Sequence, residues 1–99
     1  MAENEALRIA SKYAEKVRSL MDPVAVYLYG SQVKGTANKY SDIDIAVIVN
    51  SIPDDYLKTV SALWKLTRSV HEDIEPVLLS AEDADSGFLQ TVLRTGIAV

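Results

Sequence analysis

Gly30 and Ser31 are followed, after ten intervening residues, by Asp42, Ile43 and Asp44. A glycine-serine turn can hold phosphate oxygens with backbone N–H groups. Two carboxylates spaced i, i+2 can hold the cations that accompany phosphate. Together they suit metal-dependent phosphoryl transfer. On a strand, side chains two apart share a face, with Cα atoms roughly 6.5 Å apart. Asp42 and Asp44 can then reach one cation, or bridge two held about 3.5–4 Å apart. The rest of the segment, Ile45-Ala46-Val47-Ile48-Val49, is apolar. Two acids facing one way there carry a desolvation cost that a bound divalent ion offsets. Oxygen ligands suit magnesium or manganese rather than zinc.

A third acid is expected from a neighbouring strand. His71 to Leu79 offers Glu75, deep in an Ile-Glu-Pro-Val context, and Asp73 nearer its start. Glu75 is preferred, because an acid inside an apolar strand is costly without a partner; Asp73 remains the alternative. Pro76 cannot donate to a ladder and marks an edge strand. In the turn, Gly30 lets the backbone approach a phosphate, and the following short helix points N–H groups at it. Ser31 adds a hydroxyl donor. Lys34 and Lys39 lie where a loop would face a triphosphate. Ser41 can orient Asp42 through its hydroxyl. The turn is not a Walker loop, since no Gly-x4-Gly-Lys-[Ser/Thr] occurs. His71 reads as a helix-end or solvated residue.

Composition sets bounds on these readings. The 99 residues are expected to form one domain, 1–99, and carry no cysteine, which excludes thiolate metal sites and disulfides. The net charge is −4 and the basic residues are scattered. That balance disfavours extensive nucleic-acid binding and suits a small phosphate substrate. No apolar run spans a bilayer and the first residues are acidic and polar, so no membrane association and a cytoplasmic location are expected.

The elements that must position these residues alternate helix and strand with short connections, an α/β (α+β) pattern. A helix is predicted over about 3–21, with Leu7, Ala10, Tyr13, Ala14, Val17 and Leu20 in one stripe. Asp22-Pro23 closes it. Strands are predicted at 24–29, 43–49 and 73–79, the first apolar on both parities and so central. One or two helical turns are expected over 31–36, and an irregular loop to Ser41. A second long helix is predicted over 54–70, with Leu57, Val60, Leu63, Trp64 and Thr67 inward. Ser80 and Asp83 resemble a capping box. A last helix is expected over 86–95, stopped by Gly96.

The segment from Tyr27 to Val47, with its Gly30-Ser31, ten-residue gap and Asp42-Ile43-Asp44, resembles the polymerase-beta-like nucleotidyltransferase superfamily. More narrowly it is similar to the minimal nucleotidyltransferase (MNT) domain. The resemblance covers nearly the whole chain. It implies a small mixed β-sheet flanked by helices, two magnesium ions, and transfer of a nucleoside monophosphate from ATP or another nucleoside triphosphate. Asp42 and Asp44 match the paired metal ligands, Glu75 the third carboxylate that helps activate the attacking hydroxyl, and Gly30 and Ser31 the phosphate turn. Such domains are similar to the antitoxin half of toxin–antitoxin pairs, whose partner is a small helical HEPN-domain protein. In some pairs the antitoxin silences it by adenylylating a tyrosine. The sequence leaves homo-oligomerisation open. Two departures stand out. Gln32 occupies a position often held by arginine and supplies no fixed charge, and Thr36 to Lys39 offers only lysine. The alternative is therefore a catalytically weak or inactive module that neutralises a HEPN-type partner by binding.

Overall fold

A computed structural model of the chain describes residues 3–34, 41–83 and 86–99. Lys39 and the loop 35–40 lie outside the described residues. The chain runs α1 (Glu3–Leu20), β1 (Ala25–Tyr29), α2 (Ser31–Lys34), β2 (Ile43–Val49), α3 (Tyr56–Thr67), β3 (Ile74–Ser80), α4 (Gly87–Thr95) and β4 (Ile97–Ala98). The four strands lie in the order β3-β2-β1-β4. β1 pairs antiparallel with β2 and β4, while β2 and β3 are parallel. The sheet is mixed, as expected, and Pro76 sits on the edge strand.

One face of the sheet builds the core. Val26, Leu28, Ile43, Ile45, Val47, Ile74 and Leu78 are buried there with Ala6, Ile9, Ala10, Tyr13, Ala14 and Val17 of α1 and Leu63 of α3. The apolar stripe of α1 is what docks it to the sheet. Tyr13 Oη donates to Leu63 O at 2.6 Å, a buried bond that joins α1 to α3. Burial holds the Tyr13 phenol far above its ordinary titration range. Ala46 and Ile48, of opposite parity on β2, are buried as well, together with Leu89 and Val92 of α4. α4 thus covers part of the second face.

Two expectations are corrected. α3 begins at Tyr56 and ends at Thr67, and its phase turns Leu57 and Trp64 outward. Leu57 is 77% exposed and Trp64 44% exposed, although Leu63 and Thr67 are buried. A residue one step past Leu63 is rotated by about 100°, so Leu63 and Trp64 cannot both face the sheet. The cap of the last helix is Ser86, whose hydroxyl accepts from Leu89 N at 3.4 Å. Ser80 instead ends β3 and accepts from Glu82 N at 3.1 Å. Gly96 stops α4 as expected, in an extended conformation with φ −81° and ψ 171°. Glycine is needed there for space: an added Cβ would lie 2.6 Å from Val92 O and 3.0 Å from Leu28 O. The close approach delivers the chain into β4, a strand the sequence reading lacks.

Candidate active site

The register of the sheet sets three polar side chains in one row. Tyr29 of β1 is opposite Asp44 of β2, and Asp44 is opposite Glu75 of β3. All three lie on the face away from α1, because Leu28, Ile43, Ile45 and Ile74 point into the core on alternate positions. Asp42 stands one step ahead of β2, where Ile43 N donates to Asp73 O at 2.8 Å. Asp42 is exposed and Asp44 half-buried.

The acids feel one another. Burial raises the Asp44 carboxyl above its ordinary range, and the Asp42 charge adds to that. Glu75 is likewise raised, by desolvation, by the charges of Asp42 and Asp44, and by a side-chain hydrogen bond in which protonated Glu75 donates to Asp42. Tyr29 is pushed up to about 12, by burial first and then by Asp44 and Glu75. It therefore remains a neutral phenol. Among the described residues no lysine or arginine is ion-paired with the three acids. Asp73 is engaged elsewhere: its N–H donates to His71 Nδ1 at 3.1 Å, and its carboxylate lies 3.8 Å from the same nitrogen.

Gly30 closes the site from the other side. Its φ is +82°, the left-handed region that glycine enters without strain. A Cβ built on it would lie 2.5 Å from Asp44 Oδ2. The glycine backbone is thus pressed against the central carboxylate. Val33 N and Lys34 N both donate to Gly30 O at 3.1 Å, which winds α2 directly off the turn. The N–H groups of Ser31 and Gln32 open that helix and have no acceptor within it. Ser31 is half-buried and Lys34 exposed. Ser41 is half-buried beside Asp42.

Gln32 does not face outward. It is 2% exposed, and its Nε2 donates to the Asp42 carbonyl at 3.3 Å, while its buried Oε1 has no partner among the described residues. It braces the chain at Asp42 from beneath. The sequence reading weighed Gln32 only as a missing charge. Tyr29 was also missed, although its position before Gly30 and its parity with Asp44 carried the signal. Tyr29 is held by Phe88 of α4, edge-to-face, with ring centroids 5.5 Å apart and planes at 88°, a contact worth about 1 kcal/mol.

The residues present are chemically suited to divalent cations: oxygen donors only, mutually repelling, with no cation among the described residues to offset them. As they stand, however, no group of three or more His, Cys, Asp or Glu among the described residues is gathered closely enough to hold a metal ion.

A mixed sheet with an acid row beside a left-handed glycine turn agrees with the fold expected of nucleotidyltransferases. The profile of the family described as "Polymerase beta, Nucleotidyltransferase" matches residues 11–99, and the chain belongs to that family. No curated protein sequence matches it significantly. Among solved structures, a Sulfolobus solfataricus protein classed as a nucleotidyltransferase is 20% identical with a TM-score of 0.68, covering 97% of this chain and 80% of that one. A chain of the complex between a tri-AMPylated Shewanella oneidensis HEPN toxin and its MNT antitoxin is 24% identical, with a TM-score of 0.62 and coverage of 94% and 70%. A chain of a toxin–antitoxin complex with AMP-PNP is 25% identical, with a TM-score of 0.59 and coverage of 99% and 72%. The fold is shared with MNT chains. No helix among the described residues is long and apolar enough to cross a membrane.

Proposed function

We propose that this protein transfers a nucleoside monophosphate, AMP from ATP, to a hydroxyl on a partner protein of a toxin–antitoxin pair in the cytoplasm. The observation that carries the reading is the row of Asp44 and Glu75, joined by Asp42, pressed against the Gly30 turn. Membership of the nucleotidyltransferase family supports it, as does likeness to chains from complexes with an AMPylated HEPN toxin and with AMP-PNP.

Asp42, Asp44 and Glu75 would hold two magnesium ions. When bound, these supply neutralisation of phosphate charge and a lowered pKa for the attacking hydroxyl. The remaining work falls to the chain itself. Ser31 N–H, Gln32 N–H and the Ser31 hydroxyl bind β- and γ-phosphate oxygens, with Lys34 as a cationic contact. Ser41 and Gln32 fix Asp42. The acceptor oxygen bonds to the α-phosphorus while the bond to the β-phosphate oxygen breaks in line, releasing pyrophosphate. Glu75 takes part in removing the hydroxyl proton. Positioning and charge neutralisation supply most of the rate.

The test is incubation with ATP labelled at the α-phosphate, magnesium and the product of the neighbouring gene. Label is expected on the partner with the parent protein and absent with Asp44→Ala. Equal labelling by both removes Asp44 from the chemistry. The alternative, a catalytically weak or inactive module that neutralises its partner by binding, is favoured by Gln32, which supplies no fixed charge. It predicts instead that Asp42→Ala with Asp44→Ala neutralises the partner as well as the parent does.

A further inference from the structure

The fold leaves an apolar stripe of α3 uncovered. Leu57 and Trp64, both exposed, stand seven residues apart. At about 3.6 residues per turn, Leu57, Ser61, Trp64 and Arg68 fall on one line, turned away from the buried Leu63. Large apolar groups at this spacing are how one helix receives another. An open groove of about 620 Å³ runs beside the line, lined by Val60, Ser61, Trp64, Lys65, Arg68 and one acid, Glu72.

Charge selects the occupant. From Tyr56 to Arg68 the chain carries Lys58, Lys65 and Arg68 and no acid, in a protein of net charge −4. Lys58 and Lys65 repeat the seven-residue spacing and flank Leu57 and Trp64 on one side. Pairing two copies of the chain through this stripe would set these cations against their own images, and like charges repel. An acidic partner meets no such barrier and is steered in by the same field.

We propose that the Leu57–Trp64 stripe of α3 docks an amphipathic helix of a different protein, one with large apolar side chains seven apart flanked by glutamate or aspartate. The proposal rests on the reading above for the existence of a protein partner. It assigns that partner a surface on the outer side of the helical layer, across the sheet from the acid row.

Trp64 is the chain's single tryptophan, so its emission reports the stripe directly. The probes are a helical peptide of about three heptads with leucine at a and d and glutamate at e and g, the same peptide with lysine at e and g, and an unstructured oligoribonucleotide. The glutamate peptide is expected to shift Trp64 emission to the blue, saturably and less tightly as salt rises. Leu57→Ala should weaken it about tenfold. Lys58→Glu with Lys65→Glu should weaken it at least about tenfold and transfer preference to the lysine peptide. These positions are exposed, so circular dichroism should show the fold unchanged. No saturable shift, an equal response to both peptides, saturation by the RNA instead, or binding indifferent to the substitutions overturns the proposal. Asp42→Ala with Asp44→Ala should bind the glutamate peptide as the parent does. Peptide binding without label transfer by the parent protein sinks the catalytic reading alone, and label transfer without peptide binding sinks this one alone.

Discussion

Gly30 and Asp44 are in contact such that one methyl group would not fit between them: a Cβ on residue 30 would lie 2.5 Å from Asp44 Oδ2. The left-handed φ of +82° adds a second reason for glycine. Gly30→Ala should therefore lose about 1–3 kcal/mol of stability from strain and displace the Asp44 carboxylate. Nucleotidyl transfer should fall by roughly 100-fold or more, since misplacement of about 1 Å costs that much. Thermal melts and label transfer on the same preparation measure both. Full activity in Gly30→Ala would show that the contact is dispensable.

Gln32 invites the reverse experiment. Gln32→Arg supplies the fixed charge that glutamine lacks, yet the site is buried and its neighbour is the Asp42 carbonyl. A guanidinium is larger than the amide it replaces and its charge must be desolvated there, so stability should drop by roughly 2 kcal/mol or more and activity should not rise. Gln32→Leu keeps the volume and removes the donor. It should melt close to the parent but need more magnesium for half-maximal transfer, because Asp42 is then less well held. An unchanged magnesium requirement would remove the bracing role.

The acid row makes stability depend on pH, and the sign follows from the direction of the shifts. Asp44 and Glu75 are raised above their ordinary values of 3.8 and 4.5. Over the interval between unfolded and folded titration, the native chain binds more protons than the unfolded one. The stability this provides is fully present below the ordinary values and is lost as pH rises through the raised ones. Asp44→Asn should thus melt higher than the parent at about pH 7 without metal, and lose its advantage at about pH 4. Manganese or magnesium should raise the melting temperature of the parent at neutral pH and do much less for Asp44→Asn. A lower melting temperature for Asp44→Asn at neutral pH would contradict the repulsion argument.

Tyr13 supplies a control remote from the chemistry. Tyr13→Phe deletes the buried bond to Leu63 O and should cost about 1 kcal/mol, or about 4–8 °C in a domain of this size. Transfer activity at low temperature should be unaltered. A large loss of activity would mean that the α1–α3 joint reaches the acid row.

Local chemistry determined much of this protein before any chain folded. Glycine at 30, acids at 42 and 44 on one parity, and an apolar β2 are properties of residue type and spacing, and they sufficed to place β2 over 43–49; for the third acid they favoured Glu75 and left Asp73 open. Helical periodicity likewise located α1. Long-range register lay beyond that reach. That Glu75 stands opposite Asp44, and Tyr29 opposite both, depends on how three distant strands pair, and pairing is a sum of contacts no single segment contains. The phase of α3 is of the same kind: Leu57, Leu63 and Trp64 are all apolar, and only the sheet it packs on decides which of them it buries. β4 is two residues long and exists because Gly96 lets α4 close against β1. Gln32 reads as a missing charge along the chain. Folding turns it inward, and its meaning changes from an absent ligand to a brace beneath Asp42.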